Sequence, residues 1–267
     1  MKIKNSVIGV FGGSGFYDLL ENPKYVDVKT KWGSPSDKIR IGEYAGQKIA
    51  FLARHGQKHH LPPHKIPYLA NIAAFKKIGV KQIIAPCAVG SLQPNIKPGE
   101  FVILDQFVDR TNCRPDTFYN GPITAHITGA EPYCSNLRQT AIDACKKLRI
   151  AHHKTGTAVV IQGPRFSTKA ESIYYSKQNW EVINMTQYPE VILAREMEIC
   201  YTGIALVTDY DAGLINNPKI KPVTMDEVTN VFNSNNKTIK KVIFEMIKNI
   251  SDSKDCDCQS ALKNAIL

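Results

Sequence analysis

The sequence predicts an α/β protein: a single domain with a mixed, mostly parallel central β-sheet flanked by helices. Three observations predict it. Short β-branched or apolar runs alternate with longer stretches of helical periodicity, the pattern of strands joined by crossover helices. No repeat at a period of about 20–50 residues and no low-complexity linker divides the 267 residues, a length that one large domain can hold. Polar and glycine-rich residues cluster where strand candidates end, which is where open α/β sheets bind their ligands.

The elements follow in order. Strands are expected at 7–11, 38–43, 48–53, 80–85, 101–105, 157–162, 181–184 and 201–208. The pair 38–43 and 48–53, joined through Tyr44-Ala45-Gly46-Gln47, reads as a hairpin and adds antiparallel pairing. Helices are expected at about 64–78, 135–149, 168–178, 189–199 and 224–249. The second opens on Ser135 as N-cap and lines Leu137, Ala141, Cys145 and Leu148 along one face. Pro189 suits a first helical turn, and Glu190 behind it suits the positive end of the helix dipole. A flexible tail is expected over about 251–267.

Composition excludes several classes. Hydrophobic residues at 43% and charged residues at 22% are globular values, not those of a disordered chain. No uncharged apolar run approaches the ~18 residues of a membrane span. The apolar run 7–11 breaks into glycines, too short for a secretion signal. The formal charge of +10 is spread along the chain without a block of five basic residues, so no nucleic-acid partner is expected. Seven cysteines at irregular spacing fit reduced thiols in the cytoplasm. Cys256-Asp257-Cys258 is the one tight pair, and alone it supplies too few ligands for structural zinc. His55, His59, His60 and His64 are separated by the helix-breaking Pro62-Pro63, with no nearby acid or cysteine to complete a set. His152 and His153 are adjacent on a strand and face opposite ways. No metal is expected.

Five segments at strand ends carry chemistry. Gly12-Gly13-Ser14-Gly15 can turn tightly and aim N–H groups at an anion, with the Ser14 hydroxyl as a further donor. It has neither the G-x-G-x-x-G order of a dinucleotide loop nor the Lys of a P-loop. Arg54 offers a guanidinium fork and His55 a ring nitrogen to the same anion, and the Thr186 hydroxyl adds another donor. Ala88-Val89-Gly90-Ser91 lies just past another strand. Asp209 and Asp211 flank Tyr210, on one side of the chain if it stays extended. A carboxyl in a partly dry pocket can hold a proton near neutrality and deliver it. Phe166 can stack on a flat ring, and Met185 can pack against a sugar.

In order along 6–213, these runs resemble those of the 5′-methylthioadenosine phosphorylases, within the trimeric purine nucleoside phosphorylase superfamily. The matching runs are Val10-Phe11-Gly12-Gly13-Ser14-Gly15, Leu52-Ala53-Arg54-His55-Gly56, Ala88-Val89-Gly90-Ser91-Leu92 and Asp105-Gln106-Phe107-Val108-Asp109-Arg110-Thr111. They continue through Gln162-Gly163-Pro164-Arg165-Phe166-Ser167, Asn184-Met185-Thr186 with Pro189-Glu190, and Ala205-Leu206-Val207-Thr208-Asp209-Tyr210-Asp211.

The resemblance implies one nucleoside phosphorylase domain over 1–267. Orthophosphate is then a co-substrate that attacks C1′ of the nucleoside, with no metal or organic cofactor. Ser14, Arg54, His55, Ala88 and Thr186 are implied as the phosphate site, and Met185 as the ribose contact. Phe166 and Ser167 are implied as the wall facing the base, and Asp209 and Asp211 as the catalytic pair reading the purine N7 and 6-amino group. Acids here favour adenine over 6-oxopurines. His126 resembles the segment a neighbouring subunit lends to the 5′-substituent pocket, implying a homotrimer or a dimer of trimers.

The chain departs from the family pattern in places. Pro86-Cys87 stand where threonines are usual, which removes hydroxyls beside the phosphate. Pro67 stands where Asn is common, and Gln187-Tyr188 replace small residues and are expected to narrow the base or ribose region. Helix 224–249 is expected to cap the 5′ pocket. The alternatives are a phosphorylase of 6-oxopurine nucleosides or methylthioinosine, and a non-catalytic nucleotide- or nucleic-acid-binding protein.

Overall fold

The structure, a computed structural model, describes residues 6–12, 20, 22–213, 220–251 and 255–267. Its first part runs β1 (Val7–Gly12), β2 (Lys24–Val26), β3 (Ile39–Tyr44), β4 (Gln47–Ala53), α1 (Tyr68–Lys77) and β5 (Val80–Ser91). It continues through β6 (Phe101–Ile103), β7 (Gln106–Arg110), α2 (Ser135–Lys147), β8 (His152–His153), β9 (Thr157–Ile161) and α3 (Lys169–Lys177). The last elements are β10 (Val182–Asn184), α4 (Gln187–Glu196), β11 (Cys200–Asp209) and α5 (Met225–Asn249). All the strands join one mixed sheet.

Alternation along the strands decides what each face buries. On β1, Val7 and Phe11 join the core beneath α1 and α4, while Ile8 and Val10 join the core beneath α2 and α5. Both faces are therefore covered, the usual condition of a parallel sheet. The expected hairpin forms as β3 and β4, with Tyr44 opposite Gln47. The N-terminus of α3 is fixed by a capping box: Glu171 N–H donates to Thr168 Oγ1 (3.2 Å), and Thr168 N–H donates to Glu171 Oε2 (2.7 Å).

Strand β5 organises the ligand side. Along Val80–Ile84 it pairs in parallel with β1, and at Gly90 and Ser91 it pairs antiparallel with β10. Its other edge pairs in parallel with β11 from Gln82 to Gly90. Between Ala85 and Val89 the edge facing β1 has no strand partner among the described residues. The sheet thus splits over the middle of β5, a local form of the switch point at which α/β sheets bind ligands.

Several expectations change. The strand at 80–85 runs on to Ser91, so Ala88 and Gly90 lie within it and not in a loop beyond. Strands 106–110 and 24–26 add to those expected, and the strand-like pair His152-His153 forms β8. The tail also differs, because Asp257–Ser260 forms a short 3-10 helix with Cys258 buried. Leu267 N–H donates to Thr124 O (3.0 Å) and His126 N–H donates to Ala265 O (2.7 Å), so 255–267 is docked. No described helix is long and apolar enough to cross a membrane.

Candidate active site

Arg54 directly follows β4, whose last residue Ala53 pairs with Gly12 of β1, and Arg54 N–H donates to Gly12 O (2.9 Å). Its side chain is buried and reaches the unpartnered edge of β5, where Nη1 donates to Pro86 O (3.2 Å). Nε and Nη2 donate to the two carboxylate oxygens of Glu190 at 2.7 and 2.8 Å. Glu190 is wholly buried and also accepts from Tyr201 Oη (2.6 Å). Burial opposes the guanidinium charge, but Glu190 more than compensates, so Arg54 is held cationic. A guanidinium carries five N–H bonds. Among the described residues these three contacts leave one N–H on Nη1 and one on Nη2, donors of the kind that hold an oxyanion.

His55 comes next in the chain. Its Nδ1 lies 2.8 Å from Leu61 O, and because a carbonyl only accepts, Nδ1 carries the proton. Burial pushes the ring's pKa down to about 4. The Leu61 bond opposes that shift, and the charges of Arg54 and His59 add to it. The neutral ring therefore presents a lone pair at Nε2. In this state Nε2 can accept a hydrogen bond but has none to donate, whereas donation to an anion was expected. His59 stacks on His55, with ring centroids 4.4 Å apart.

Strand β10 brings the third group from the opposite direction. Because it runs antiparallel to β5, its carboxyl end points back along β5, and Asn184 Nδ2 approaches Cys87 Sγ at 3.8 Å. Thr186, at the N-cap of α4, is buried, and its hydroxyl makes no capping bond. Met185 is half-buried, and its sulfur lies against Gly163, where a Cβ would approach it to 2.6 Å. The loop bearing Phe166 and Ser167 therefore sits beside the end of β10.

Asp209 ends β11 and pairs with Gly90 across an irregularity in register. The two acids do not share a side through extended pleating, as expected. Asp211 turns into a left-handed conformation (φ 49°), and its N–H donates to Asp209 Oδ1 (2.7 Å). Both close around Gly90, where a Cβ would fall 2.8 Å from Asp209 Oδ1 and 3.2 Å from Asp211 Cβ. Only glycine allows that approach.

Burial pushes the Asp209 carboxyl up to about 6. The Thr208 hydroxyl and Asp211 N–H partly offset it, while the charges of Asp211 and Glu227 add to it. Burial likewise raises Asp211, against the pull of the neighbouring Ser172 and Ser167 hydroxyls. Yet Asp211 Oδ2 and Ser167 Oγ are buried without a well-formed hydrogen bond among the described residues, leaving polar atoms for a ligand.

The structure thus sets Arg54 against Pro86 of β5 and the pair Asp209 and Asp211 around Gly90 farther along the same strand, with Ser167 beside Asp211 and Met185 beside Gly163. Ser14 lies outside the described residues. His126 is not drawn in: it is exposed, on a loop bound through its backbone to the tail. Gln187 does not narrow the pocket. It is fully buried, its amide nitrogen 3.5 Å from Cys87 Sγ and its Oε1 accepting from Tyr133 Oη (3.2 Å). Cys87 and Gln187 therefore partner each other inside the core. Tyr188 points outward, its hydroxyl on Asp116. Pro67 simply starts α1, without a side-chain cap. Glu190 was legible only as a helix-start acid, because its partner Arg54 is 136 residues away.

A family model described as the phosphorylase superfamily matches residues 7–248. An S-methyl-5′-thioadenosine phosphorylase of Thermofilum pendens is 46% identical over 262 residues, covering 97% of this chain and 98% of its own. A purine nucleoside phosphorylase of Streptomyces coelicolor is 44% identical over 265 residues, covering 96% and 94%. The solved structure of a methylthioadenosine phosphorylase from Schistosoma mansoni in complex with adenine superposes with a TM-score of 0.88 at 34% identity, covering 93% of each chain.

Proposed function

The chain belongs to the phosphorylase superfamily, and on that premise we propose that it splits 5′-methylthioadenosine with orthophosphate, giving adenine and 5-methylthioribose 1-phosphate. The reading is carried by one observation: a buried cationic fork and a buried acid pair flank the same unpartnered stretch of β5.

Phosphate sits against Arg54, His55, the Ala88 backbone and Thr186, with Ser14 as a further donor. A phosphate oxygen bonds to C1′ as the C1′–N9 bond breaks, and the electron pair of that bond goes to the purine. Positive charge on the sugar is stabilised by the anion beside it. Negative charge on the purine is relieved by the proton that Asp209 gives to N7. The acid pair accepts from a 6-amino group and repels a 6-carbonyl when ionised. Met185 backs the ribose, and Phe166 with Ser167 walls the base. Orthophosphate is a co-substrate, and the chemistry uses no cofactor.

One observation favours a second reading. Burial raises the Asp211 pKa, and a protonated Asp211 can donate to the carbonyl of inosine. Phosphate-dependent turnover of 5′-methylthioadenosine, adenosine and inosine separates the two. Methylthioadenosine is expected to have the highest kcat/KM, and dominant turnover of inosine overturns the first reading.

The active unit is a homotrimer in the cytoplasm, in which His126 of each chain faces the 5′ group bound by its neighbour. Its exposure on one chain supports this. Sedimentation at assay concentration should give three times the 29.8 kDa of the chain, or six times for a dimer of trimers, whereas an active monomer removes His126 from the site.

A further inference from the structure

At the end of the sheet away from the acid pair, four sulfurs meet. Cys134 is the N-cap of α2, where Ser135 was expected and is instead the first helical residue; Cys200 opens β11, and Cys256 and Cys258 come from the docked tail. Their Sγ atoms all lie within 4.8 Å of one another, and Cys200 Sγ is 3.5 Å from Cys256 Sγ. All four are free thiols; three are buried and Cys256 is half-buried. Among the described residues this is the only group of three or more His, Cys, Asp or Glu set so closely. The tail pair that is too small a ligand set in the sequence is completed by two cysteines distant in the chain.

We propose that Cys134, Cys200, Cys256 and Cys258 bind one zinc ion as a structural tetrathiolate site. Zinc–sulfur bonds of ~2.3 Å in a tetrahedron place the sulfurs ~3.8 Å apart, which the observed spacing accommodates. Four soft ligands in that arrangement select zinc over hard cations. All four positions are filled by protein, so the ion has no place for substrate and acts on the fold.

The tail's other contacts show why it needs a clamp. Of residues 255–267, only Cys258 and Ala265 are buried, so little apolar surface holds the segment to the domain. Cys134 stands at a helix N-terminus, whose field favours a thiolate. The site is also remote from the chemistry. Strand β11 runs from Cys200 to Asp209, and at ~3.3 Å per residue its ends are about 30 Å apart.

The test is metal analysis of the full chain purified without chelator, with intact mass measured under non-reducing conditions. About one zinc per chain is expected, with no mass lost to disulfides. Cobalt(II) exchanged for zinc should show the visible bands of a tetrahedral thiolate complex. The double variant Cys256→Ser, Cys258→Ser should retain less than about a tenth of the zinc and melt lower, while nucleoside turnover below its melting point stays within about twofold of the parent. Two outcomes overturn the proposal: wild-type protein without zinc whose mass shows two disulfides, or undiminished zinc in the double variant. Neither bears on the phosphorylase reading, which the nucleoside assay tests separately.

Discussion

Replacing Asp209 by Asn is expected to lower kcat/KM for 5′-methylthioadenosine by ~10²–10⁴, the usual worth of a positioned acid. Asn has nearly the same shape and can still bond to N7, but it has no proton to transfer. The pH profile gives the sharper readout. With the wild-type carboxyl titrating at about 6, the protonated form is lost above that pH. The Asp209-dependent factor in kcat/KM should therefore fall about tenfold per pH unit on the alkaline side. Ionisation of phosphate moves the other way but is common to both enzymes, so it cancels in the ratio of the two profiles. That ratio should shrink as pH rises; a ratio independent of pH would take Asp209 out of the proton transfer.

Stability supplies a control of opposite sign. A carboxyl whose folded pKa lies above its unfolded value binds more protons in the folded state between about 4 and 6. Stability from this group is complete at low pH and is lost as pH rises through that window. At pH 8 the ionised Asp209 is thus a cost, on the order of 3 kcal/mol. The Asn variant should melt no lower than wild type there. A crippled enzyme that is no less stable is the expected trade-off at an active site.

The second large effect is on the buried ion pair. Arg54→Ala leaves Glu190 fully buried with no cation, and stranding one partner of such a pair costs about 3–5 kcal/mol. In a chain of this size that is a fall in Tm on the order of 10 °C. Phosphate KM should also rise steeply, because both free N–H bonds of the fork go with the side chain. The double variant Arg54→Met, Glu190→Leu separates these effects. Apolar replacement of both partners is often tolerated, so it should recover much of the lost Tm but none of the phosphate affinity. If Arg54→Ala melts like wild type, the pair is not what holds this region. If the double variant regains phosphate use, the fork does not bind the anion.

Most of the scaffold was legible in the sequence because it rests on local signals. The five helices fall within a few residues of their expected spans, and β1, β3, β4 and β9 nearly coincide. Periodicity and turn residues specify such elements without reference to the rest of the chain. The three-residue β2 exists only through its neighbour, so no local pattern announces it. The reach of β5 past Ala85 is tertiary as well, since it is set by pairing with β11 and β10.

The site divides in the same way. Arg54, His55, Thr186 and Asp209 stand out as polar residues at strand ends. The partners that set their behaviour do not: Glu190 reads as a helix-start acid and Leu61 as an unremarked loop residue. The antiparallel entry of β10 has no sequence signal either, yet it turns Asn184 toward β5. The cysteine cluster has no local signal, because its members are separated by up to 124 residues, from Cys134 to Cys258.

The bond from His55 to the Leu61 carbonyl has one more consequence. On the phosphorylase reading, with Nδ1 committed to Leu61, Nε2 would meet an incoming tetrahedral ion lone pair first. Sulfate carries no proton near neutrality, so one of its oxygens faces another acceptor there and is repelled. Arsenate keeps an acidic hydrogen and meets no such conflict. On the phosphorylase reading, one imidazole orientation sorts look-alike oxyanions by whether they still have a hydrogen to offer, at a point where size and shape hardly differ.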